Sequence, residues 1–143
     1  MNNSAATRAI TKIALKYNSN DKGTVKMISS NCLLSFTSEG QFQEMKTVAE
    51  RNCKVNKWAS TGYISQPDEI GRKLKDEEFR QIAIEALAKV GVTNKNQYRL
   101  DIHNSTTQKH IHFIVNRINI SGKCTVKSHD IGGRFGEAVR DVC

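Results

Sequence analysis

Two alternating runs joined by a short polar stretch constrain this 143-residue chain more than any other feature. Gln97-Tyr98-Arg99-Leu100-Asp101-Ile102 alternates polar and apolar residues and ends on His103. Asn104 to Lys109 is turn-prone. The second run begins at His110-Ile111-His112-Phe113-Ile114-Val115 and continues to Ile118 and Ile120, rich in β-branched and aromatic residues. This pattern predicts a β-hairpin. Residues i and i+2 of a strand share a face, so His110 and His112 project side by side, and closing the hairpin carries His103 across to them. Three of the chain's 4 histidines therefore converge. One His-x-His pair on a strand is usually surface decoration. A third imidazole from the neighbouring strand makes a divalent-metal site, suited to Zn, Mn, Ni or Fe-class ions.

The remaining segments supply the framework. Ala5 to Tyr17 places Ile10, Ile13, Ala14 and Tyr17 at helical spacing after a Ser4 cap, and Asn18 to Gly23 is a stop and turn. Thr24 to Ile28 reads as a short strand, and Leu33 to Thr37 as an apolar segment of either type. Ser38 with Gln41 forms a capping-box pattern for a helix from Glu39 to about Asn52. Trp58 to Ser65 reads as a strand that ends before Gln66-Pro67-Asp68-Glu69. Asp76 to Val90 carries the stripe Phe79, Ile82, Ala83, Ala86, Leu87 and Val90, stopped by Gly91. Cys124 to Ser128 reads as an edge strand, and Arg134 to Val142 as a terminal helix behind Gly132-Gly133. The order predicts an α+β fold, a mostly antiparallel central sheet flanked by helices, in one domain over residues 1–143.

Charge narrows the function. Lys and Arg number 22 against 14 Asp and Glu, a net charge of +8, which suggests a polyanionic partner, most often nucleic acid. Combined with a metal site, it points to chemistry on phosphodiesters. At 38% hydrophobic and 25% charged residues the composition is that of an ordinary globular protein,. No apolar run reaches membrane-spanning length and no signal-peptide core is visible. Cys32, Cys53, Cys124 and Cys143 are scattered, so they are read as reduced thiols of a cytoplasmic protein.

His103-x6-His110-x-His112, running into Asn116-Arg117, resembles the third motif of plasmid mobilisation relaxases, which are His-hydrophobe-His single-strand DNA endonucleases. Ala9 to Asn18, followed by Lys22-Gly23, is similar to that family's first motif, in which a helix carries the nucleophilic tyrosine. The resemblance implies a relaxase-like nickase domain. Tyr17 would be the nucleophile and the three histidines the ligands of a divalent ion, Mn or Mg in function, with Ni or Zn compatible. Single-stranded or supercoiled DNA would be the substrate, and accessory mobilisation or replication proteins the partners. Rolling-circle initiators and single-tyrosine transposases place the nucleophile after the histidines, whereas Tyr17, Tyr63 and Tyr98 all precede them. Tyr63 and Tyr98 are assigned to packing, and Trp58 to the core or to a stacked base. Lys109, Arg117 and Arg134 are candidate phosphate contacts. Asp68 and Glu69 are candidates to orient a histidine or assist Tyr17.

Three departures from the family pattern stand out. Its acidic residue two positions after the first histidine is Ser105 here, and Asp101 is assigned to the opposite face of its strand. Met1-Asn2-Asn3 is too short for the strand with which relaxases begin. The long C-terminal extension of most relaxases is not seen. These departures sustain a second reading, a basic DNA-binding module that keeps the fold without cutting.

Overall fold

The computed structural model describes residues 1–11, 14–15, 24–66, 74–104 and 109–143. Five strands form one sheet: β1 (Asn2–Arg8), β2 (Thr24–Asn31), β3 (Ala59–Ser65), β4 (Tyr98–Asn104) and β5 (Lys109–Asn116). Three helices accompany them: α1 (Ser38–Ala49), α2 (Asp76–Lys89) and α3 (Ile131–Val142). The strand order is β1-β3-β5-β4-β2 and every neighbouring pair is antiparallel. The expected α+β class is therefore the observed one.

Alternation divides the sheet into two unlike faces. Ile64, Leu100, Ile102, Ile111, Phe113 and Val115 point to one side, where they form the main core with Phe79, Ala83, Ala86 and Leu87 of α2 and Phe135, Ala138 and Val139 of α3. The rings of Phe113 and Phe135 lie 5.0 Å apart, centroid to centroid, at the favourable spacing of a tilted aromatic pair. On the other side α1 covers the sheet toward the Asn116 end, where Met45, Ile114 and Leu15 are buried together. The half of this face that carries the histidines lies beyond that helix.

Several expectations are corrected. Asn2–Arg8 is a strand rather than the start of a helix, and it pairs with β3 along its whole length, from Asn2↔Ser65 to Arg8↔Ala59. Helix-like spacing in a short segment yields to a complete ladder of cross-strand bonds, because β preference is set by context. The initial strand that Met1-Asn2-Asn3 seemed too short to supply therefore exists, because it starts at Asn2 and runs on to Arg8. At Gly62 the β1 backbone and the Phe113 ring close in, and a Cβ there would collide with the Ser4 carbonyl. Ala14 and Leu15 are helical; the rest of the expected helix C-terminal to them, Tyr17 included, lies outside the described residues.

The cap of α1 is displaced by one residue. Thr37 holds it, its hydroxyl accepting from the Gly40 N–H at 3.0 Å, while Gln41 turns inward and is buried. The segment expected as a strand at Cys124–Ser128 makes only an isolated bridge, Ile118↔Cys124. The last strand stops at Asn116 rather than continuing to Ile120. At the end of α2, Gly91 adopts φ +105°, a conformation that suits glycine at a helix C-terminus.

Candidate metal centre

His103 and His110 are register partners across β4 and β5, and His112 follows on the same face of β5. Their ring centroids are 5.1 Å (His103–His110), 4.2 Å (His103–His112) and 4.9 Å (His110–His112) apart. One nitrogen from each ring can be chosen so that all lie within 4.8 Å of one another. His103 is buried and the other two are half-buried. Neutral imidazole nitrogens at this spacing form a donor set that fits a first-row divalent ion, with two rings accessible from one side. Among the described residues this is the one cluster of its kind.

Arg99 and Asp101 form a buried ion pair on the strand that carries His103. Asp101 precedes His103 by two residues and shares its face; the assignment to the opposite face is corrected by the period-two geometry of the strand itself. Its register partner on β5 is His112. Arg99, two residues further back, donates from Nε to both carboxylate oxygens at 3.1 and 3.0 Å and from Nη2 to Oδ1 at 3.0 Å. Its Nη1 reaches Gln41 Oε1 at 2.8 Å and Ser38 Oγ at 3.2 Å on α1. Asp101 is completely buried. Burial pushes its carboxyl above the usual carboxylate range, opposed by the Arg99 hydrogen bonds and charge and by the charge on His103,. The pair connects α1 to the strand that carries His103.

The Asn116-Arg117 pair serves the framework. Asn116 donates to the Met45 carbonyl at 2.9 Å and to Gln97 Oε1 at 3.0 Å, and its Oδ1 accepts from the Ile118 N–H at 3.0 Å. The Arg117 guanidinium is buried and donates to the carbonyls of Val126, at 2.8 Å, and Lys57. Both lie at the end of β5 away from the histidines.

The other candidate phosphate contacts are similarly engaged. Lys109 points toward the start of α2, where its ammonium meets Asp76 and the Leu74 carbonyl. Arg134 of α3 donates to the carbonyls of His129 and Lys127. Tyr17, Asp68, Glu69 and Ser105 fall outside the described residues. Tyr98 packs against the main core, and Trp58 sits half-buried beside Phe42, 6.3 Å away. Tyr63 departs from its packing assignment: it is 37% exposed on the histidine face, register partner of His112. The alternation of β3 was readable in the sequence, but its pairing with β5 was not.

A match to the relaxase family model, MobA/VirD2-like nuclease domain, spans residues 17–143. The chain belongs to the relaxase family. That domain is a DNA-nicking endonuclease, so DNA is the substrate class; the family is generally divalent-metal dependent, and this chain carries a histidine triad that could hold such an ion. No curated protein and no solved structure matches the chain. Among the described residues, no helix of this relaxase domain is long and apolar enough to cross a membrane.

Proposed function

We propose that this relaxase domain nicks one DNA strand site-specifically by tyrosine transesterification, with Tyr17 as nucleophile and His103, His110 and His112 as the metal ligands. The convergence of the three imidazole nitrogens within 4.8 Å carries the reading. A bound Mn or Mg ion, with Ni or Zn compatible, would supply Lewis-acid stabilisation of the charge developing on the non-bridging phosphate oxygens. The three histidines would hold that ion on one face of the sheet, and the pairing of β4 with β5 sets their spacing.

The Tyr17 phenolate oxygen bonds to phosphorus while the bond to the 3′ oxygen breaks. The departing oxygen takes up a proton, equal to the one the phenol gave up. The 5′ phosphate remains as an ester of Tyr17, so one phosphoester replaces another and the strand can be resealed by the reverse step. The excess of positive charge, +8 overall, would draw the DNA to the surface.

Supercoiled plasmid incubated with the protein and Mn should yield nicked circles and a denaturant-stable protein–DNA adduct. Both should disappear with chelator, and the adduct should be lost in Tyr17→Phe. Tight DNA binding without nicking over a broad set of sequences would replace this reading with the non-catalytic DNA-binding module.

A further inference from the structure

Tyr63 is a large aromatic side chain on the histidine face with an accessible surface. Its ring centroid lies 6.1 Å from that of His112, inclined by 46°, and the two residues face each other across β3 and β5. Side chains of directly opposed strand residues are held within contact distance by the ladder, so the tyrosine ring has a fixed position relative to the metal ligands. Tyr98, by contrast, is half-buried against the main core. Tyr63 instead helps line a cleft of about 580 Å³ together with Ser4, Ala6, Arg8, Thr61 and His112, a volume within the usual range of small-ligand pockets.

The cleft has a polarity. His112 and Tyr63 stand at one end, and Ser4 is the register partner of Tyr63 on β1. Arg8 lies four residues further along that strand, about 13 Å away at the usual strand rise, and is exposed. An aromatic ring at the metal end and a guanidinium at the other match the two recurring needs of a single nucleic-acid strand, a platform for a base and a cation for a phosphate.

We propose that Tyr63 is a positioning residue for the DNA strand: its ring stacks a nucleobase adjacent to the phosphate addressed by the three histidines, and Arg8 contacts a phosphate further along the cleft. This rests on the nicking reading above. It assigns the strand's path across the sheet, toward β1, and gives Tyr63 a task distinct from that of the nucleophile. Stacking uses the ring and not the hydroxyl, so phenylalanine should replace tyrosine here and alanine should not.

The test uses a 20-nucleotide oligo(dT) carrying one 2-aminopurine, scanned along its length, in the presence of Mn. Tyr63→Ala should weaken binding roughly ten- to hundredfold, the usual cost of one lost base–aromatic stack. Tyr63→Phe should restore binding to within about threefold of the parent protein. Quenching of 2-aminopurine should appear with the parent and Tyr63→Phe and vanish with Tyr63→Ala. Arg8→Ala should lower the slope of log affinity against log salt by about 0.7, the single-strand value for one phosphate contact.

Equal binding by Tyr63→Ala and the parent would overturn the proposal, as would a Tyr63→Phe variant as weak as Tyr63→Ala. A loss of Mn affinity in Tyr63→Ala, measured by calorimetry without DNA, would show instead that the ring props His112. Failure of the parent protein to bind the oligonucleotide would overturn the stacking proposal, whereas failure to nick supercoiled plasmid with Mn would overturn the nicking reading itself, a result distinct from all of these.

Discussion

Removing one imidazole from the triad should abolish tight metal binding while sparing the fold. His110 is half-buried near the end of its strand, so His110→Ala exposes little core. Calorimetry with Mn should show affinity reduced more than about a hundredfold, beyond the 10–100-fold typical of losing a supporting partner of a ligand, with the thermal midpoint nearly unchanged. Asp101 predicts the opposite balance. Replacing it by Leu strands the buried Arg99 charge, and unfolding free energy should fall by about 3–5 kcal/mol. Arg99→Met combined with Asp101→Leu should recover most of that loss, as read by urea denaturation, because no uncompensated charge remains. A double variant as unstable as Asp101→Leu alone would show that the cost came from packing.

At the level of elements, Gly91 sets where α2 ends. Its φ of +105° and the approach of the Thr125 carbonyl to the place a Cβ would occupy leave no room for a side chain. Gly91→Ala should lower stability by about 1–2 kcal/mol or more, measured by urea unfolding, with far-UV circular dichroism of the folded state retained. That glycine was legible because its signal is local, as were the stripe of α2 and the alternation of β4 and β5. The histidine triad was legible for the same reason: a hairpin needs only its own two strands to bring the rings together. The strand character of Asn2–Arg8 was not, since it depends on β3, more than fifty residues away in the chain. The exposure of Tyr63 opposite His112 was not legible on the same account. Asp101 is a different case: its face followed from simple alternation, and only its partnership with Arg99 and α1 required the folded chain.

Taken as a whole, the molecule separates its duties by side. α2 and α3 bury one surface of the sheet, α1 covers part of the other, and the three histidines share that second face beyond α1. With a net charge of +8, affinity for single-stranded DNA should fall linearly on a log–log plot against salt, with a slope of about −0.7 for each phosphate neutralised. Fluorescence anisotropy from 50 to 200 mM salt measures it, and a flat line would mean that charge plays no part in recognition. Removing Mn with chelator should shift that line without changing its slope if the histidines contact the strand only through the ion.

The recognised family match opens at residue 17, yet the sheet opens at Asn2. Trimming the protein to the matched span would strip β3 of its outer neighbour and lay bare a row of amide and carbonyl groups along the β3 edge of the sheet. Such an unguarded border invites self-association, so a shortened preparation that precipitates would be reporting the missing opening segment rather than any defect in the nuclease.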